Sequence, residues 1–245
     1  MGFAMTVGMI EMGSSDQHKT DTQHNAPAET APESQPESQQ NMTQHRCSVA
    51  LLLIDVINDL EWEDGELIEP FAREMSHAIA ELKSRAKALG IPVVYVNDNF
   101  GQWRSDFQSL VDHLLEDNVR GEFLARELAP ERDDYFVLKP KHSGFYSTTL
   151  NVLLDYLGTQ TVIVTGLAGN ICVLFTANDA YMRDLKIVAP RDCMASNTEE
   201  ENEGAIKVIA KVLKGEIGPS EELDLEKLIA DSNEKSEQKS LQEKP

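Results

Sequence analysis

Short apolar runs alternate along the chain with longer segments in which apolar residues recur every three or four positions. The apolar runs predict five β-strands, over residues 49–55, 92–97, 135–139, 161–165 and 186–189. The periodic segments predict helices over residues 70–89, 107–116, 148–157, 171–183 and 200–213. Near-continuous Val, Ile and Leu strands separated by helices are typical of a parallel sheet covered on both faces. We therefore expect an α/β fold, a three-layer α/β/α sandwich with a mostly parallel five- or six-stranded sheet; residues 216–219 are the candidate for a sixth strand.

The two ends of the chain differ in composition from its centre. Residues 1–45 are rich in Gln, Glu, Ser, Thr and Pro, and such a segment buries too little apolar surface to offset its chain entropy. We expect it to be a disordered acidic segment. Residues 215–245 are again polar, so we expect a charged, largely disordered tail with at most a short helix near residues 223–230. The folded domain is then residues 46–214.

Charge, the length of apolar runs and the number of cysteines narrow the expected partners and location of the protein. The formal net charge is −20, and an acidic surface repels nucleic-acid phosphates and anionic lipid. No run reaches the roughly 20 apolar residues of a membrane-spanning helix. Three cysteines are an odd number and do not make a disulfide framework. We expect a cytoplasmic protein that acts on a small molecule, with no nucleic-acid or membrane partner.

Three ionisable side chains lie where predicted strands end. Asp55 ends the first strand, Lys139 ends the third, and Cys172 follows the fourth after a glycine-bearing turn. In parallel sheets, functional groups gather at the carboxyl ends of the strands. A thiol in the first turn of a helix also ionises more easily, because the helix N-terminus carries partial positive charge. This pattern predicts a reactive Cys172 with a base and a cation beside it.

Each of these residues also has a structural interpretation. Cys172 could be a small buried hydrophobe, and Asp55 could cap the helix that follows it. Lys139 could be a surface lysine, with Lys141 competing for the cationic role. Cys47 and Cys193 have no supporting neighbours in the sequence and are interpreted as structural.

Three segments together resemble the isochorismatase-like cysteine hydrolases, and the resemblance covers the core but neither end of the chain. They are Leu53–Asp59 (LIDVIND), Val137–Leu150 (VLKPKHSGFYSTTL) and Val164–Val173 (VTGLAGNICV). Each segment alone is a weak signal, whereas all three in order are specific. In that family the lysine stands six residues before a phenylalanine, here Phe145, and this selects Lys139 over Lys141.

The resemblance implies cleavage of a carbon–nitrogen bond in an amide, carbamoyl or ureido group. Asp55 would accept the Cys172 proton, the thiolate would attack the carbonyl, and water would hydrolyse the resulting thioester. The backbone N–H groups of Ala168 and Cys172 would hold the oxyanion. Lys139 would keep Asp55 anionic and oriented. The resemblance also implies a cis peptide bond between Leu167 and Ala168.

The same resemblance bears on metals and on related reactions. Metal-containing members have an aspartate followed two residues later by histidine, but here Asp98 is followed by Phe100. We therefore expect no metal and no other cofactor, which counts against nicotinamidase activity. Isochorismatases proper cleave a vinyl ether and lack the nucleophilic cysteine, so the presence of Cys172 disfavours that reaction.

The substrate pocket is the least determined part of the prediction. Candidate lining residues, on loops after strands or beside the motifs, are Asn97, Trp103, Phe145, Tyr146, Trp62 and His142. By analogy with the family we expect a homo-oligomer, either a dimer or a tetramer. Two other functions stay open at this point: a non-catalytic binding or regulatory module of the same fold, and a hydrolase acting on an ester or a vinyl ether.

Overall fold

The structure, a computed structural model, describes residues 46–99, 107–116 and 119–242. Six strands of these residues form one parallel sheet with the order β3-β2-β1-β4-β5, and β6 pairs with the last residues of β4. The strands are β1 Val49–Ile54, β2 Val93–Asp98, β3 Tyr135–Lys139, β4 Thr161–Leu167, β5 Lys186–Val188 and β6 Met194–Ala195. The predicted fold class is confirmed.

Seven α-helices lie among the described residues. They are α1 Gly65–Ala88, α2 Phe107–Glu116, α3 Glu122–Glu127, α4 Leu150–Leu157, α5 Leu174–Tyr181, α6 Glu199–Lys211 and α7 Leu225–Gln242. Helix α1 begins at Gly65, ahead of the predicted start at Pro70, because its buried stripe already includes Ile68. None of these helices is long and apolar enough to cross a membrane.

The sixth strand is not where the sequence suggested it. Residues 194–195 form it, whereas Glu216 makes only an isolated parallel bridge to Val188. A two-residue strand carries too little alternation to be recognised from a hydropathy pattern.

Apolar side chains fill the space on both faces of the sheet. All six residues of β1 are buried, and they alternate between two apolar clusters: Leu51 and Leu53 contribute to one, and Leu52 and Ile54 to the other. A strand buried on both faces reads as a continuous apolar run. This is the physical basis of the three-layer arrangement.

The segment after Gly215 contains more structure than the short helix expected from its polarity. Helix α7 runs from Leu225 to Gln242, and Leu225, Leu228 and Ser232 are buried against the domain. These residues are three and four positions apart, so they share one helix face. The acidic residues between them conceal the pattern in the composition. Residues 1–45 lie outside the described residues, and their disorder stays a prediction.

Candidate active site

The sheet brings the three predicted side chains into contact. Asp55 follows β1, Lys139 is the last residue of β3, and Cys172 follows β4. The Lys139 Nζ lies 2.8 Å from Asp55 Oδ2 and 3.4 Å from Cys172 Sγ. The Asp55 carboxylate is close enough to Cys172 for its negative charge to raise the pKa of the thiol. An acid, a cation and a thiol therefore share one site at the carboxyl edge of the sheet.

Asp55 turns out of its strand at this edge. Its N–H still donates to the Val96 carbonyl (3.0 Å), as in the β1–β2 ladder, but its φ is 52°, in the left-handed region. Aspartate enters this region more easily than most residues. The Asp55 Oδ1 accepts a hydrogen bond from the N–H of Asp98 at 2.7 Å. The carboxylate is thus held across the end of β2 rather than used as a cap for the following helix.

Burial distinguishes the two lysines that compete for the cationic role. Lys139 is 0% exposed, whereas Lys141 is exposed. Burial by itself lowers the pKa of Lys139, but the negative charge of Asp55, together with Cys172 and Asp98, outweighs it and raises this pKa. Lys139 is therefore a permanent ammonium ion paired with carboxylates, as a buried cation requires.

The turn that carries Cys172 begins at a position where only glycine fits. Gly166 has a φ of 111°, and a Cβ there would lie 2.0 Å from the Ile54 carbonyl oxygen. The following Leu167–Ala168 bond is cis, as the family resemblance implied. Glycine at 166 keeps β4 paired with β1 up to the point where the chain leaves the sheet.

Cys172 lies in a wide turn that leads into α5. The Ala168 carbonyl accepts hydrogen bonds from the N–H groups of Ile171 (3.0 Å) and Val173 (3.2 Å), the two neighbours of Cys172. The result is a π-helical turn over Gly169–Val173. Turns of this kind are frequent at functional sites.

The surroundings of the Cys172 thiol oppose the ionisation that its position at a helix start favours. Burial and the adjacent Asp55 charge raise the pKa of Cys172 to about 12, against the opposing effect of Lys139. Burial also raises the pKa of Asp55, although Lys139 opposes this. Burial therefore opposes the ionisation that a helix start favours, and the reactivity expected of Cys172 stays a prediction. Asp55 and Cys172 each shift the pKa of the other, so their titrations are coupled.

A cavity of about 420 Å³ opens above Cys172. Its lining comprises Asp55, Asn58, Trp62, Asp98, His142, Leu167, Ala168, Asn170, Ile171, Cys172, Asn197 and Glu201. Trp62 and His142 were among the residues predicted to line it. The His142 Nδ1 lies 4.0 Å from Cys172 Sγ. The cavity thus has the thiol and Asp55 in its floor and an aromatic side chain in its wall.

Three other predicted pocket residues lie outside this lining. The Asn97 side chain is fully buried, and its Nδ2 donates to the Ile57 carbonyl at 2.7 Å. Phe145 belongs to the apolar core, and Tyr146 is 58% exposed. The packing of the loops sets the orientation of these three side chains. A pattern that only marks where strands end does not contain that information. Trp103 lies outside the described residues.

Several lining residues were missed by sequence reasoning. Asp98 ends β2, so the strand-end rule could have found it. Asn58 falls within the first motif. Asn197 comes from the connection between β6 and α6, and Glu201 from the first turn of α6, where no recognised motif marks them. Only the folded chain brings that connection beside Cys172.

The described residues contain no group of three or more His, Cys, Asp and Glu side chains placed to hold a metal ion. Phe100, on which the expectation of no metal depends, lies outside the residues that the structure describes. That expectation stays a prediction.

Comparison with known proteins identifies the class that this fold and site define. Residues 49–217 match the family described as the isochorismatase domain. The chain therefore belongs to the isochorismatase family, and it is a hydrolase of that family.

Three relatives illustrate the range of this family. The chain is 42% identical over 174 residues to the uncharacterized isochorismatase family protein YaaI of Bacillus subtilis, covering 71% of this chain and 95% of that protein. It is 43% identical over 169 residues to the ureidoacrylate amidohydrolase RutB of Methylorubrum extorquens, covering 56% of this chain and 65% of RutB, which is less than two thirds. The crystal structure of N-carbamoylsarcosine amidase from Thermoplasma acidophilum aligns with a TM-score of 0.58 at 28% identity, covering 72% of this chain and 99% of that one.

Proposed function

We propose that this protein is a cysteine hydrolase that cleaves a carbon–nitrogen bond in a small amide, carbamoyl or ureido compound, through a thioester and without a metal. One observation carries the proposal: Lys139 Nζ contacts both Asp55 Oδ2 (2.8 Å) and Cys172 Sγ (3.4 Å) at the floor of a cavity. A nucleophile beside its base, with a third group orienting the base, is the usual arrangement for covalent catalysis. The names of RutB and N-carbamoylsarcosine amidase support an amide-type substrate.

In the first half of the proposed reaction, Asp55 accepts the proton of the Cys172 thiol as the sulfur attacks the carbonyl carbon. A carbon–sulfur bond forms, and the carbonyl oxygen becomes an oxyanion near the N–H groups of Ala168 and Cys172. Loss of one such donor raises the barrier by about 3 kcal/mol in comparable sites. Asp55 then returns the proton to the nitrogen, the carbon–nitrogen bond breaks, and ammonia or an amine leaves.

In the second half, a water molecule replaces the departed amine. Asp55 removes a proton from this water, and the hydroxyl attacks the thioester carbon. The carbon–sulfur bond breaks, the sulfur takes the proton from Asp55, and the acid product leaves. Lys139 remains an ammonium ion throughout. It offsets the negative charge that moves between Asp55 and Cys172, which is the effect expected of a fixed cation in a dry site.

The test is an ammonia-release screen over small amides, carbamoyl compounds and ureas, with Cys172→Ala beside the unaltered chain. Cys47→Ala is the matched control, because Cys47 is a half-buried thiol that does not line the cavity. Acid quenching during turnover followed by peptide mass spectrometry should find the acyl group on Cys172. Ammonia release that survives Cys172→Ala would overturn the mechanism. Release from none of the compounds would leave the ester, vinyl-ether and binding-module alternatives.

The small-molecule partner, the cytoplasmic location and the dimer or tetramer implied by the family stay predictions. Sedimentation equilibrium of the full chain tests the assembly. A monomer at micromolar concentration would contradict the predicted homo-oligomer.

A further inference from the structure

Among the described residues that line the cavity, the aspartate and glutamate side chains carry negative charge and no Lys or Arg accompanies them. Among the described lining residues they are the carboxylates of Asp55, Asp98 and Glu201. Two of these are paired with the buried ammonium of Lys139, at 2.8 Å for Asp55 and 3.5 Å for Asp98. Glu201 lines the same cavity from a different element, the first turn of α6. It is therefore the carboxylate whose charge is available to an incoming ligand.

The segment leading into α6 and the first turn of α6 pack against the turn that carries Cys172. The N–H of Asn170 donates to Ser196 Oγ at 3.1 Å. A Cβ on Gly169 would lie 2.3 Å from Asn202 Oδ1, so glycine at this position permits the close approach. This packing brings the first turn of α6, and Glu201 with it, into the lining of the cavity that also contains Cys172.

The Glu201 side chain is also held in position by its own helix. The Thr198 hydroxyl donates to Glu201 Oε2 at 3.0 Å and accepts from the Glu201 N–H at 3.2 Å. These reciprocal bonds fix the side chain within the first helical turn. A fixed carboxylate discriminates between ligand charges better than a freely rotating one, because less conformational entropy is lost when it contacts a ligand.

We propose that Glu201 determines specificity: it selects substrates whose non-reacting end carries a cation or a neutral N–H donor and disfavours those whose end carries a carboxylate. This inference rests on the proposed function, since it names the substrate class of the same site. The lining also includes the apolar side chains of Trp62, Leu167 and Ile171, which suit the carbon skeleton between the two ends.

Charged thiol reagents test the inference without requiring hydrolysis. The aminoethyl and sulfonatoethyl methanethiosulfonates have similar size and opposite charge; each transfers its sulfenyl group to the Cys172 thiolate and releases methanesulfinate. Labelling rates at Cys172 are measured by peptide mass spectrometry. Glu201→Gln should reduce the cation-to-anion rate ratio roughly threefold to tenfold, as expected for removal of one charge near the sulfur. Glu200→Gln, an exposed neighbour on the same turn that does not line the cavity, should leave the ratio unchanged.

A matched series of amides extends the test to turnover. β-Alaninamide, butyramide and succinamate have chains of similar length that end in a cation, a methyl group and an anion. Glu201→Gln should narrow the differences in kcat/KM among them, mainly through KM, and Glu201→Lys should favour succinamate.

The two readouts separate this inference from the proposed function. An unchanged labelling ratio in Glu201→Gln, or an equal change in Glu200→Gln, overturns the role of Glu201 even if amides are hydrolysed. A changed ratio without hydrolysis of any amide supports the charge preference of the cavity and counts against the proposed amide chemistry.

Discussion

The carboxyl ends and the amino ends of strands β1 and β4 differ in which side chains surround them. At the carboxyl ends lie a buried ion pair, a left-handed aspartate and a thiol with a raised pKa. At the amino ends, helix α7 covers the strands through Leu225 and Leu228 and a hydroxyl pair, Thr161 Oγ1 to Ser232 Oγ at 2.6 Å. Buried charges add little net stability, whereas apolar burial and satisfied hydroxyls stabilise. The proposed chemistry therefore lies at one edge of the sheet, and the packing of α7 lies at the other.

The largest expected effect is that of Asp55→Asn at the carboxyl ends of the strands. It should lower the rate of hydrolysis by about 10²- to 10⁴-fold, as expected for loss of the proposed general base. The same change should accelerate alkylation of Cys172 by iodoacetamide near pH 8, because the negative charge that raises the thiol pKa is removed. Labelling rates from peptide mass spectrometry check the second effect. Asp155→Asn, an exposed carboxylate of α4, is the control. Slower labelling in Asp55→Asn would contradict the assignment of Asp55 as the group that holds the thiol protonated.

Lys139→Met should lower the free energy of unfolding by about 3–5 kcal/mol, because Asp55 and Asp98 lose the cation that compensates them. Urea denaturation measures the loss, with Lys141→Met as an exposed control. Adding Asp55→Asn should restore part of the stability, since it removes the buried carboxylate charge that Lys139→Met leaves without a partner. A double variant no more stable than Lys139→Met would show that the cost comes from packing and not from charge.

Leu228→Ala should weaken the opposite edge, lowering the free energy of unfolding by about 2–4 kcal/mol through a cavity under α7. The kcat/KM of any identified substrate should change by less than about twofold, since the cavity around Cys172 is not touched. Val152→Ala, a 69% exposed position on α4, should cost far less stability. A large loss of activity in folded Leu228→Ala would mean that the two edges are coupled.

The raised pKa of Cys172 should make the free energy of unfolding depend on pH in the alkaline range. The folded-state pKa of about 12 lies above the reference value of 9.0, so the thiol's contribution to stability is complete below pH 9 and is lost as the pH rises towards 12. The slope is at most about 1.4 kcal/mol per pH unit for one proton. Unfolding free energies at pH 8 and 10 should therefore fall more for the unaltered chain than for Cys172→Ala. Equal slopes would mean that the thiol pKa is not raised.

Ser232→Ala should have the smallest effect, about 1 kcal/mol of stability, because it leaves the buried Thr161 hydroxyl without its partner. Combining it with Thr161→Val should cost less than the sum of the two single changes. Asn233→Ala, an exposed position on the same helix, should be neutral within error. Additive losses in denaturant midpoints would indicate that the two hydroxyls do not interact.

Much of this arrangement could be predicted from the sequence. The strands were recognisable because strands buried on both faces are continuously apolar, and Asp55, Lys139 and Cys172 stood out because each lies at or just after a strand end. Sequence reasoning failed where a signal was short or concealed. Strand β6 has two residues, and the buried stripe of α7 is masked by intervening acids.

The pocket walls were harder to predict for another reason. Phe145 and Tyr146 are adjacent, yet one enters the core and the other faces solvent, because loop packing sets their directions. Glu201 joins the cavity only because α6 packs against the turn of Cys172. A local sequence pattern cannot indicate a contact between α6 and the turn of Cys172, because these segments are far apart in the chain.

The sequence by itself determined the alternation of strands and helices, and with it the meeting of an acid, a lysine and a thiol at one edge of the sheet, because parallel strands all end on the same side. Only the tertiary structure decided that Lys139 is buried while Lys141 is exposed, that burial and Asp55 raise the pKa of the Cys172 thiol, and that Glu201 lines the cavity. Burial and electrostatic interaction depend on distances between residues remote in sequence, and those distances exist only once the chain has folded.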